Sequence, residues 1–159
     1  MKNFARIFST LAITVLTSSV SANECTRAGV VEALQGTAEV RHKGSNQWLP
    51  VTLDKQLCQN DQIRTTKNSR ASIRLINQTL VQLEAQTTLS LTNVESSENQ
   101  SLLDLIQGLI HTMSRVPRSL EIKTPFVNAA IEGTEFIVAA NKTEGRVAVL
   151  EGIVRVDNA

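Results

Sequence analysis

The sequence predicts an all-β domain, and three observations carry that prediction. Apolar and polar residues alternate with period two through several short runs. Gly, Asn and Pro punctuate those runs at roughly 8–12-residue spacing. The apolar content is aliphatic: 42% of the 159 residues are apolar and only 3% aromatic, so the core has to be assembled from Val, Ile, Leu and Ala. Such side chains suit stacked strands better than a pocket lined with rings. The length is that of one domain with a proper core.

The first 22 residues stand apart from that domain. Lys2 and Arg6 form a positive n-region, Ile7 to Val20 is a mildly apolar stretch, and Val20-Ser21-Ala22 places small residues at a cleavage site. Export with cleavage before Asn23 is the expectation, leaving residues 23–159 as the domain. The apolar run is short and rich in Ser and Thr for a membrane span; an uncleaved anchor is the alternative. Ala22-Asn23-Glu24 before Cys25 is unlike a lipoprotein processing site.

Within the domain, Val31–Gly36 leads into Thr37-Ala38-Glu39-Val40, Lys43–Asn46 is a turn cluster, and Trp48–Val51 resumes extended chain. Arg70–Leu75 alternates strictly, so Ala71, Ile73 and Leu75 share one face. Asn77-Gln78 turns the chain, and Val81 with Leu83, then Leu89 with Leu91, repeat the pattern. Residues 95–101 read as a polar loop. Leu102–Met113 fits a helix face or strands, and Gly108 in its middle favours strand-turn-strand. Ser119–Lys123 alternates up to Thr124-Pro125; Glu135–Ala140, Val147–Val149 and Val154–Val156 follow, separated by Gly-containing turns. A Gln/Glu-Gly pair recurs at Gly36, Gly108, Gly133 and Gly152 without a fixed period. Glycine there supplies positive φ at corners, and sandwich, barrel and irregular solenoid all remain open. The chain stops just after a strand pattern, so its last edge is expected to meet a partner or to continue in a longer product.

Charge and cysteines narrow the setting. Removing the leader takes away Lys2 and Arg6 and no acid, leaving 14 basic and 15 acidic side chains. A near-neutral domain has no electrostatic footprint for nucleic acid or an anionic membrane surface, so neither is an expected partner. Cys25 and Cys58, the only cysteines, are expected to pair as a structural disulfide in an oxidising compartment. Their spacing is neither that of a redox CxxC pair nor that of a metal site.

Thr124-Pro125 followed eight residues later by Gly133-Thr134, then Phe136, resembles the TP…GT-x-F signature of the FecR domain family. Asp61-Gln62-Ile63-Arg64-Thr65 with Ser69–Leu75 is similar to that family's GD-x-I-x-T…S-x-A-x-(I/L)-x-L block; Asn60 stands where Gly is usual, and Asn also tolerates a left-handed backbone. Gly36–Val40, Trp48–Val51 and Leu150–Val156, including Gly152, match the first and last strands. The resemblance spans about residues 29–156. It implies a twisted, irregular β-solenoid or roll in the bacterial periplasm, acting as a protein-interaction module in envelope sensing or scaffolding. Relative to the family's transmembrane transducers, the sequence reads as the outer domain by itself, without the anti-sigma and transporter-meeting segments.

Site chemistry is sparse, and neither an enzyme activity nor a cofactor is expected. His42 sits in a turn and His111 at a strand end, each expected to be solvated or packed. Glu132 and Glu135 flank Gly133-Thr134, but three positions apart on a regular strand means opposite faces. Thr124, Pro125, Gly133 and Thr134 have structural roles: Pro125 ends a strand, Gly133 permits a corner, and the Thr134 hydroxyl satisfies backbone there. Arg64, Arg70 and Arg74 can be read as a basic stripe, since 70 and 74 share a strand face, or as a solvated outer face spaced among polar residues, which is the favoured reading. A glycan- or peptidoglycan-binding module is the alternative reading; its weakness is that Trp48, Phe126 and Phe136 are the only aromatics after the leader. A hydrolase is a distant third.

Overall fold

The computed structural model describes residues 24–95 and 101–158. The leader and most of the 95–101 loop therefore lie outside the described residues. Eleven strands follow in order: β1 (Arg27–Gln35), β2 (Ala38–Arg41), β3 (Leu49–Pro50), β4 (Gln56–Cys58), β5 (Gln62–Thr65), β6 (Arg70–Leu75), β7 (Leu80–Leu83), β8 (Thr88–Asn93), β9 (Ser101–Lys123), β10 (Val127–Ala140) and β11 (Gly145–Asn158). All-β architecture in a single domain is what the alternating runs predict.

Closure comes from two long strands that change neighbours halfway along. β1 and β2 are separated only by Gly36 and Thr37; β1 pairs with β6, β2 with β5. β9 pairs with β8 through residues 102–107 and with β7 through 110–113, changing partner at Gly108. With β6 on β7 and β5 on β8, the circuit returns to its start as a small closed barrel. The short β3 and β4 add to β2 and β1. Every ladder is antiparallel, so the described residues do not show the coil-on-coil pairing expected of a solenoid or roll. Period-two alternation is common to both architectures, which is why the strand pattern did not separate them. Leu102–Met113 is likewise one continuous strand, bent at Gly108, rather than strand-turn-strand.

The barrel has an internal two-fold. Asn60 and Asn68 (φ 65° and 58°) are matched eighteen residues later by Gln78 and Gln86 (70° and 55°). Asn60 thus takes the left-handed backbone that Asn tolerates. At one corner Gly36 (φ 76°) lies against Ser69, whose hydroxyl accepts a bond from Thr37 N at 2.9 Å. At the other, Gly108 (φ 102°) lies against Thr87, whose hydroxyl accepts from Leu109 N at 3.0 Å. A hydroxyl residue thus takes the backbone N–H just past each bend.

Inside, Ala71, Ile73 and Leu75 are buried together, as their alternation predicts, with Val81, Leu83, Leu89, Leu91, Leu103, Leu105 and Ile110. The Cys25–Cys58 disulfide forms, with Cα atoms 5.2 Å apart, and pins the N-terminal segment to β4.

Candidate interaction surface

β9, β10 and β11 continue beyond the barrel as a three-stranded antiparallel meander. Two side-chain-stapled turns set its register. Thr124 Oγ1 accepts from Val127 N (2.9 Å) and Phe126 N (3.2 Å), so Thr124-Pro125-Phe126 joins β9 to β10. Asn141 Oδ1 accepts from Thr143 N (2.8 Å) and Glu144 N (2.9 Å), an Asx turn that places Ala140 opposite Gly145.

Ala129, Ile131, Phe136 and Val138 of β10 point into the core and are buried. Their partners on β11 are Val156, Val154, Val149 and Val147, and directly opposed residues share a face. Val147 and Val154 are partly buried against the core, whereas Val149 and Val156 are exposed. Leu150 (56% exposed) and Ile153 (76%) add apolar surface, the latter on the outer face. Among the described residues β11 pairs with β10 alone. A fourteen-residue strand therefore presents an open row of backbone groups with an apolar face running out beyond it. Such an edge invites another strand.

The residues singled out from sequence are spread over the molecule. Asp61 is buried; its carboxylate accepts from Cys58 N at 2.8 Å and faces His42 Nδ1 at 3.0 Å. Thr65 is buried, its hydroxyl donating to Glu84 O and accepting from Thr87 N at 3.1 Å. Arg64 meets Glu39 at 2.7 Å, Arg70 meets Glu84 at 2.6 Å, and Arg74 grips Glu32 through two bonds of 2.8 Å. The three arginines thus form separate ion pairs rather than one basic stripe. The guanidinium of Arg74 holds the Glu32 carboxyl below its ordinary value, and Glu32 in turn raises Arg74. Arg64 and Arg41 also lie over the Trp48 ring, at 4.1 and 4.9 Å from its centroid.

Around Gly133 the structure corrects four expectations. Gly133 is inside β10, opposite Gly152 (φ 127°), not at a corner between strands. Thr134 lies in the register shift between Gly133 and Glu135, and its hydroxyl is buried without a hydrogen-bond partner among the described residues. That extra residue moves the buried series from Ala129 and Ile131 to Phe136 and Val138, so Glu132 and Glu135 share the outer face after all. His111 is inside β9, not at its end, and its Nε2 meets Glu135 Oε1 at 2.8 Å.

The two histidine–carboxylate contacts were missed by sequence reasoning, because each joins residues on different strands or loops. An open groove of about 570 Å3 beside the disulfide is lined by Glu24, His42, Lys43 and Asp61. Both oxygens of Asp61 are already engaged there, which gives the residue a structural role at the Cys58–Asp61 turn. Among the described residues no three His, Cys, Asp or Glu side chains gather as a metal site, and no helix is long and apolar enough to cross a membrane.

In comparison with known proteins, the family model described as FecR protein matches residues 61–155. No curated protein and no solved structure matches the chain.

Proposed function

The chain belongs to the FecR protein family, and from that premise we propose that it is a non-enzymatic periplasmic interaction module that binds another envelope protein through the β11 edge. The family is associated with signal transduction at the envelope, and the Cys25–Cys58 disulfide suits an oxidising compartment. The observation that carries the reading is the open β11 strand with Leu150 and Ile153 exposed. Strand addition takes affinity from backbone hydrogen bonds and selectivity from alternate side chains, and β11 offers both. The pairs that could carry acid–base chemistry, His42 with Asp61 and His111 with Glu135, are each closed in a hydrogen bond and stand apart.

Glycan binding has less support. The ring on which a sugar would stack, Trp48, carries two guanidiniums. The test is photocrosslinking in cells from position 153, with the exposed Leu53 as control position. A reproducible adduct with an envelope protein from 153 but not from 53 is expected. Retention of peptidoglycan fragments alone, with equal labelling at both positions, overturns the protein-binding reading and installs the glycan one.

A further inference from the structure

Resting on that reading, we infer that one occupant of the β11 edge is β11 of a second copy of this chain, paired antiparallel about a two-fold axis at Ile153. The sequence Leu150-Glu151-Gly152-Ile153-Val154-Arg155-Val156 is close to palindromic in chemistry. With the axis at Ile153, that residue meets its own copy, Glu151 meets Arg155 twice, and Gly152 meets Val154; the regular pairing ends there, because Leu150 is skipped in the β10–β11 ladder. Glu151 and Arg155 are both exposed and have no ion-pair partner among the described residues. Both belong to the outer face with Ile153: Arg155 lies opposite Ala130, Ile153 opposite Glu132, and Glu151 opposite Glu135.

Other axes lose this match. An axis at Val154 opposes Glu151 with Asp157, two acids. An axis at Gly152 leaves Glu151 facing Ile153 and Arg155 facing Val149. Opposite charges directly across a ladder stabilise it and like charges disfavour it; an axis at Val156 also opposes Arg155 with Asp157 but pairs only residues 154–158 of the strand, so charge and overlap together select the Ile153 axis. The axis is perpendicular to the sheet, so each face continues into the same face of the other copy. Val154 and Val156 then extend one apolar surface through both molecules, and the open backbone row of each edge is satisfied by the other.

The test is sedimentation velocity on the exported protein with its disulfide intact, across a concentration series. A concentration-dependent dimer is expected. Glu151→Arg and Arg155→Glu each replace two attractive pairs with two repulsive ones and are expected to weaken it by about tenfold or more. Combining them restores opposite charges, and the dimer is expected to return close to its original affinity. Ile153→Cys is expected to give a covalent dimer on mild oxidation, because the residue meets itself. Both charges are on the surface, and circular dichroism checks that each variant folds. A monomer at every concentration, a dimer indifferent to the single substitutions, or a double variant without rescue overturns the inference. A monomer that still crosslinks to a different envelope protein through position 153 overturns this pairing and leaves the proposed function standing. A rescued dimer with no other adduct supports the pairing and overturns the heterologous reading.

Discussion

Replacing Gly108 by alanine tests the barrel's closure directly. The glycine has φ 102°, a region costly for residues with a Cβ, at about 1–3 kcal/mol. A Cβ there would also come within 3.0 Å of the Thr87 backbone and side chain. Thr87 is fully buried and its hydroxyl bonds both Leu109 O (3.1 Å) and Leu109 N (3.0 Å), so it has little room to retreat. Overpacking of this kind costs about 1–3 kcal/mol, and loosening the two bonds about 1 kcal/mol more. The sum is about 3–7 kcal/mol, a large share of an ordinary domain's stability. Gly44 supplies the control: its φ is 77°, and a Cβ added there meets nothing within 4 Å. Gly44→Ala is therefore expected to show only the backbone part. Urea unfolding followed by far-ultraviolet circular dichroism, with the disulfide oxidised, measures both. The midpoint of Gly108→Ala should fall well below that of Gly44→Ala at similar slope. If the two differ by less than about 0.5 kcal/mol, Gly108 is not a steric corner and the argument for closure at that residue fails.

Asp61→Ala leaves the Cys58 N–H without its acceptor and is expected to cost about 1–3 kcal/mol, whereas Asp61→Asn, which keeps an oxygen, should cost less in the same urea assay. Loss of the disulfide through Cys25→Ser with Cys58→Ser frees a loop closed over a separation of 33 residues, and calorimetry should show a loss of about 3–4 kcal/mol. The folded-state pKa of Glu32 is depressed by Arg74, so the pair's stabilisation is present above the ordinary value of 4.5 and is lost as pH falls through the folded value. The pair is largely exposed, which limits its contribution to at most about 1 kcal/mol. Glu32→Gln should therefore be slightly less stable than the parent near neutral pH, with the difference vanishing in acid; a constant difference across an acid titration of the urea midpoint would count against the pairing.

Much of the local structure is legible in the sequence. Ala71, Ile73 and Leu75 alternate and are buried together, Asn60 takes the left-handed conformation, and Gly36, Gly108 and Gly152 take positive φ. Closure was not legible, because it depends on which distant strands pair. Nothing in the pattern of β1 announces β6, and nothing in β9 announces both β7 and β8. The internal two-fold was hidden for a related reason: Ser69 and Thr87 do the same work with different side chains, and their glycines lie outside the local repeat. At the candidate edge, the run 149–156 could be read as a strand, but not as the outermost one. The bulge at Thr134 escaped notice because one inserted residue leaves no compositional trace while inverting every face that follows.

β9 belongs to both the barrel and the projecting meander, with no linker between them. Fourteen residues of β11 at about 3.3 Å each make the meander about 45 Å long, and about half of that length lies along the barrel wall, where β10 pairs with β9 residues 108–113. A pull along the meander loads the β9–β10 and β10–β11 ladders in shear, so many bonds share the force rather than opening one at a time. The load passes through β9 into the wall of the barrel itself. The far edge is thus joined to the body through a shared strand and a shared core rather than through a hinge.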